Sequence, residues 1–216
     1  MTGQGQSMAQ IVTFAQQKGG AGKTTLLTQL GAAWAGEGRR VAMIDLDPQR
    51  SLAGWVDARA RALDGKLDIG FWESSEWRAS GDIRRAAGEA DVVLVDCPGN
   101  ADVLLRSAMR SAGLVVIPAQ PSAPDAWATR ATLKMALREG VESRVVFNRV
   151  PVRGGPGDAV AAMLADDGAA IAAASVGNRI AFANAFLDGR GVTEMPRSGK
   201  AADEIRALAA EVAQLL

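Results

Sequence analysis

Apolar residues in this chain gather in short unbroken runs separated by longer mixed stretches. Residues 11–15, 41–44, 92–95 and 114–117 form such runs, and 144–148 reads as another strand. Continuous apolar runs of this length suit parallel strands buried on both faces, whereas half-exposed strands alternate. Residues 67–72 read as a further short strand. Residues 24–34, 51–62 and 102–112 read as helices, and a turn at 121–124 opens another that runs to Arg138. After a glycine-rich loop at 154–157 come a helix to Asp166, a short apolar run at 169–174, and closing helices at 178–187 and 200–215. This alternation predicts an α/β fold, a mostly parallel twisted sheet with helices on both faces. No linker or internal repeat divides it, so residues 10–216 are expected to form one domain behind a flexible segment, 1–9.

Between the first strand and the first helix lies Lys18-Gly-Gly-Ala-Gly-Lys-Thr-Thr25. Strand, glycine-rich turn and helix N-terminus together make a phosphate cradle, because the free N–H groups of the helix point at the anion. Gly19, Gly20 and Gly22 give the backbone its freedom, and Ala21 completes the wrap. Lys23 is placed to meet the β- and γ-phosphates, Thr24 to ligate Mg²⁺, and Thr25 to donate to the α-phosphate. The usual G-x-x-x-x-G-K-[ST] pattern would begin with glycine at Gln17. Instead a second lysine, Lys18, sits in the loop, surplus to a single phosphate site.

Two more strands end in acids: Asp45-Leu-Asp47-Pro-Gln and Asp96-Cys-Pro-Gly99. Ligands of open α/β sheets collect at such carboxyl ends. Asp96 is the expected Walker B acid, reaching Mg²⁺ directly or through water, and the Gly99 N–H is placed to sense the γ-phosphate. An isolated aspartate at a strand end is ordinarily a cap; three of them beside a phosphate loop predict a P-loop NTPase that binds ATP and Mg²⁺.

Composition narrows the chemistry. Histidine is absent, which excludes His-based acid/base catalysis and His-ligated metals. Cys97 is the single cysteine, so there is no internal disulfide, and a cytoplasmic location is the expectation. At 216 residues and 48% apolar content the chain can bury a full core. No apolar stretch approaches membrane-spanning length, and the polar start does not read as a signal peptide. Trp34, Trp55, Trp72, Trp77 and Trp127 are dispersed without basic neighbours arranged for base stacking, so packing is their default role.

KGGAGKTT, DLDPQ and VDCPG together resemble the deviant Walker A ATPases of the ParA/MinD group. The lesser pieces SLAGW, VIP and LDG look most like the short, ParF-like ParA proteins that partition plasmids or position protein clusters. The resemblance implies that Lys18 crosses a nucleotide-sandwich homodimer to the partner's phosphates, as an arginine finger does. It further implies that Asp47 orients the attacking water, that Asp45 stands behind the Mg²⁺ ligands, and that a ParB-like or cargo-bound adaptor stimulates slow hydrolysis. Asn148 falls where relatives often read adenine; a plain strand-end cap is the equal alternative.

Such relatives bind DNA without sequence preference, and so associate with the nucleoid, as ATP-bound dimers. Here 24 basic side chains balance 24 acidic ones, so the whole protein offers DNA no strong field. Basic residues do gather late, at Arg179, Arg190, Arg197, Lys200 and Arg206, and Arg179, Arg190 and Arg206 are the candidate contacts. A MinD-like membrane surface role is disfavoured, because the last helix carries more acid than base and its Ile205, Leu208, Val212 and Leu215 are spaced to dock on a core. The other alternative is a small-molecule ligase or kinase on the same fold, of dethiobiotin-synthetase type.

Overall fold

The apolar runs become six parallel strands. A computed structural model of the chain describes residues 9–153, 157–196 and 199–216. In it β1 (Gln10–Phe14), β2 (Val41–Asp45), β3 (Gly70–Glu73), β4 (Val92–Asp96), β5 (Leu114–Ala119) and β6 (Glu142–Phe147) form one sheet, ordered β3-β2-β4-β1-β5-β6. Side chains alternate across it, so every strand feeds two cores. Val92 and Leu94 point to one face, Val93 and Val95 to the other. The first face is covered by α1 (Lys23–Gly36), α2 (Ser51–Ala62), α7 (Ile180–Leu187) and α8 (Gly199–Gln214). The second is covered by α3 (Ala79–Glu89), α4 (Asp102–Ser111), α5 (Ala123–Glu139) and α6 (Gly157–Asp166).

The central strand, β1, delivers the phosphate loop. Its helix α1 is buried from Leu26 to Trp34, as a helix that is apolar all round must be. Strand register brings two acids together: Phe14 pairs with Asp96, and Asp96 pairs with Asp45. At the far end, Ile205, Leu208 and Val212 of α8 are buried in the first core, so the apolar face of that helix is spent inside the protein. Among the described residues, no helix is long and apolar enough to cross a membrane.

A buried ion pair ties α2 to the segment before α8. The Arg59 guanidinium, 1% exposed, is bonded to Asp68, Glu194 and the Gly189 carbonyl. Gly189 has φ 64, and a Cβ there would lie 2.1 Å from the Arg59 nitrogen, so no other residue fits.

Several boundaries moved from expectation. The strand expected at 67–72 is Gly70–Glu73, because β3 is an edge strand that pairs only from Ala42 onward, leaving Leu67 in the irregular segment before it. Helix α3 was not expected: Gly81 and Gly88 dilute its helical signal, and its buried face is just Ala79, Ile83 and Ala86. Asn178 stays outside α7 because its N–H bonds the Val150 carbonyl, keeping the chain extended beside β6. The apolar run at 169–174 touches that edge through a single parallel bridge, Val145 to Ile171. Residues 1–8 of the expected flexible start, the loop residues Gly154–Pro156 and Arg197 lie outside the described residues.

Candidate functional site

The phosphate loop is anchored at its entrance by a fully buried glutamine. Gln16 Nε2 donates to the Pro118 carbonyl at 3.1 Å and to Thr129 Oγ1 at 2.9 Å, and Thr132 Oγ1 donates to Gln16 Oε1 at 3.3 Å. The start of the loop is thereby wired to β5 and α5. Lys23 is buried, and its ammonium donates to the Gln16 carbonyl at 3.3 Å, spanning the mouth of the loop. Gly22 caps α1 with φ 100, and a Cβ there would lie 2.1 Å from Asn148 Nδ2. That amide donates to the Ala21 carbonyl at 2.9 Å, while Asn148 Oδ1 accepts the Arg149 N–H at 2.9 Å. Asn148 thus clamps the loop from the end of β6.

The acids lie across a cleft of about 580 Å³ bordered by Gly19, Lys23, Thr24, Asp47 and Gly99. Thr24 Oγ1 donates to Asp96 Oδ2 at 2.6 Å. The other oxygen, Oδ1, is buried without a partner. Burial, helped by the Asp45 charge, pushes the Asp96 carboxyl up to about 7 against the opposing pull of the Thr24 hydroxyl and Lys23. A buried carboxylate with one orphan oxygen calls for a cation. Thr24 and Asp96 fit Mg²⁺, which takes one or two protein oxygens and shares the rest with phosphates and water. Among the described residues no group of three or more Asp, Glu, His or Cys could hold a metal unaided, in keeping with that division.

Asp45 faces the other way. Its Oδ1 accepts the Asp47 N–H and its Oδ2 the Ala53 N–H, both at 3.0 Å, so it fixes the turn before α2. Burial raises its pKa, and those two N–H bonds limit the rise. Asp47, half-buried, stands on the cleft wall with its Oδ1 accepting the Gln49 N–H at 2.9 Å. Cys97 is buried behind Asp96, and burial pushes its thiol well up.

Lys18 is at the rim, its side chain 37% exposed, and its ammonium is ion-paired with Asp125 in the first turn of α5. Burial opposes ionisation of Asp125, but Lys18, the Ser122 hydroxyl and the Gln120 N–H outweigh it and hold the carboxyl below its ordinary range. Two lysines five positions apart therefore do different things: Lys23 faces the cleft interior, and Lys18 is parked beside it.

Gly19, Gly20, Gly22, Lys23, Thr24, Thr25, Asp47 and Gly99 line one cleft, Asp96 lies buried behind Thr24, and Thr25 is shared with a neighbouring cleft that Asn148 borders. The late arginines stand apart from the phosphate groove. Arg179 is paired with Glu204, Arg206 with Asp203 on the surface, and Arg190 is half-buried with no ion pair among the described residues. Sequence reasoning missed Gln16, Asp125 and Arg149. Asp125 had a readable signal, since Ser122-x-x-Asp125 is a helix-start pattern, and Ser122 does cap α5. Gln16 and Arg149 had none.

A parallel sheet with this loop after a central strand, and acids at the ends of the adjacent strand β4 and of β2 beyond it, defines a P-loop nucleotide-binding protein. The chain belongs to the CobQ/CobB/MinD/ParA nucleotide binding domain family (CbiA), which matches residues 12–213. It is a member of the ParA/MinD-type positioning ATPases within that family. It is 31% identical over 193 residues to Protein ParA of Rhizobium radiobacter, covering 86% of each chain. It is 29% identical over 208 residues to Maintenance of carboxysome distribution protein A of Halothiobacillus neapolitanus, covering 93% of this chain and 95% of that one. Its fold is similar to that of a Cyanothece McdA variant in complex with ATP, with a TM-score of 0.80 at 16% identity over 96% and 97% of the two chains.

Proposed function

We propose that this chain is a slow Mg²⁺-dependent ATPase whose ATP-bound form is a sandwich dimer. That dimer binds DNA without sequence preference and distributes a cargo, and an adaptor on the cargo triggers hydrolysis and release. The observation that carries the reading is Lys18, a second loop lysine left at the rim while Lys23 occupies the cleft. A cation there serves a phosphate only if the ligand is enclosed from outside by a second copy of the chain. Lys18 must then leave Asp125 as the dimer closes.

Exposed apolar side chains around the cleft support such an enclosure. Val103 and Ile180, 64% and 77% exposed, stand in the first turns of α4 and α7 at the two clefts, and Trp127, 58% exposed, lies on α5 two residues beyond Asp125. Residues of this kind gathered at one pole fit a protein interface better than scattered solvent exposure. The similarity to ParA of Rhizobium radiobacter and to the carboxysome distribution protein supports a positioning role and leaves plasmid and protein-cluster cargo equally open.

In this reading Lys23 binds the β- and γ-phosphates and the loop N–H groups wrap them. Bound Mg²⁺ would lie at Thr24 and Asp96 and neutralise charge developing on the phosphates. Asp47 orients the attacking water, and Asp45 holds Asp47 in place by its backbone N–H. The test is retention on a non-specific DNA duplex at low salt with ATP, ADP or no nucleotide, repeated with Lys18→Ala. Retention with ATP alone, lost in the variant, is the expected result. Equal retention under all three conditions would sink the switch, and turnover that needs an added metabolite would favour the small-molecule enzyme.

A further inference from the structure

Arg149 is a cation of the cleft that the phosphate chemistry leaves without a task. It follows Asn148 at the end of β6, is exposed, and among the described residues has no ion pair. Its φ is 55, the left-handed region, which costs a residue with a side chain on the order of 1 kcal/mol. The neighbouring bonds impose that geometry. Asn148 N–H bonds the Ala119 carbonyl at 2.9 Å, Asn148 Oδ1 takes the Arg149 N–H at 2.9 Å, and Val150 N–H bonds the Val176 carbonyl at 3.0 Å. Strain held in place this firmly beside a ligand cleft directs attention to what the side chain reaches.

Two clefts meet at this residue. The phosphate cleft of about 580 Å³ adjoins a second of about 570 Å³ walled by Ile180, Phe182 and Phe186. Thr25, Arg149 and Phe186 are the residues that border both. A nucleotide with its terminal phosphates at Lys23 and its base in the apolar cleft must pass its α-phosphate and ribose between these three. Thr25 brings a hydroxyl to the crossing, Phe186 a ring, and Arg149 the positive charge.

We infer that Arg149 binds the α-phosphate–ribose junction of the nucleotide and sets affinity for it irrespective of the γ-phosphate. The inference rests on the nucleotide reading above and adds a residue to it. A guanidinium suits this place because it can bridge a phosphate oxygen and a ribose hydroxyl in one plane, which an ammonium cannot. It also separates two jobs: Lys23 distinguishes the terminal phosphates, whereas Arg149 is blind to them.

The test measures ATP and ADP affinity by calorimetric titration, and unfolding temperature without nucleotide, for the wild type, Arg149→Gly and Arg149→Lys. Glycine relieves the left-handed strain while removing the charge. Arg149→Gly is therefore expected to unfold at an equal or higher temperature yet bind ATP and ADP more weakly by the same factor, about 10- to 100-fold. Lysine is expected to recover part of that loss by restoring the charge without the fork. Wild-type affinity in Arg149→Gly overturns the inference, as does a loss confined to ATP, which would put the side chain on the γ-phosphate. A wild type that binds neither nucleotide removes the nucleotide reading itself, an outcome separable from failure of Arg149 alone.

Discussion

Charge is used in opposite ways at the phosphate loop and in the carboxyl-terminal third. Around the loop the polar groups are unfinished: Asp96 keeps a buried oxygen without a partner, Lys23 rests on a backbone carbonyl, and Arg149 has no counter-ion among the described residues. In the last third they largely close on one another. Glu204 takes both Arg179 and the Gly177 N–H, Glu211 takes the Ala173 and Ala174 N–H groups, and Arg206 lies on Asp203. Single unpartnered atoms also occur at Trp55, Arg144 and Thr193, but among the described residues only around the loop do a buried carboxylate oxygen and unpaired cations gather, and that concentration of unfinished charge marks the site. A DNA surface built from Arg179 and Arg206 must therefore exchange carboxylates for phosphates, whereas Arg190 and Lys200 form no ion pair among the described residues.

The strongest way to break this contrast is Lys23→Ala. Removing the buried cation of the cleft is expected to weaken ATP binding by about 100-fold or more, the usual result of deleting one partner of a desolvated charge pair. Equilibrium titration measures it. Near-normal affinity would mean that the unfinished groups are not where the nucleotide binds.

Asp47→Ala comes next. Binding should persist, because Asp47 holds no group of the loop, while turnover falls by about 100-fold with loss of the water-orienting carboxylate. A dimer that stays on DNA in ATP is the accompanying expectation. Normal phosphate release in the same preparation takes Asp47 out of the reaction.

How much of this contrast was legible in the sequence depended on how local the information was. The loop, Asp96 and the buried strands are written in contiguous residues, and each strand run fell within a few residues of its observed place. Helix α3 was not legible because its glycines weaken the pattern and its packing comes from the sheet. Gln16 was not legible either, since it meets Thr129 and Thr132 over a hundred positions away, and Asn148 stood out in the sequence without its bond to the Ala21 carbonyl, which forms only on folding. Asp45 is a further case: the resemblance places it behind the Mg²⁺ ligands, and only the fold shows its two oxygens accepting the Asp47 and Ala53 N–H groups.

Lys18 and Asp125 sharpen the contrast, since their ion pair joins the unfinished site to α5. Lys18→Ala should spare nucleotide affinity but weaken ATP-dependent dimerisation, and Asp125→Asn should do the reverse by releasing Lys18. A several-fold lower ATP concentration for half-dimerisation in Asp125→Asn, read by light scattering, is the expected result. If both variants dimerise like the wild type, the pair is structural and the lysine does not cross.

The smallest effects belong to the surface arginines. Replacing Arg179, Arg190 and Arg206 together should abolish DNA retention without harming dimerisation, but a single exposed residue is more telling. Arg206 sits on Asp203 with both side chains more than half exposed, so the pair contributes little to stability and Arg206→Ala should leave the unfolding temperature unchanged. If Arg206 meets a phosphate, its loss lowers the slope of log affinity against log salt by about 0.9 for each contact. Asp203→Ala then has the opposite sign: it frees the guanidinium without adding charge to it, and retention on DNA should rise. Unchanged retention in Asp203→Ala, with an unchanged slope in Arg206→Ala, would place the DNA surface away from the Asp203–Arg206 turn of α8 and leave Arg190 and Lys200 as the cations to examine.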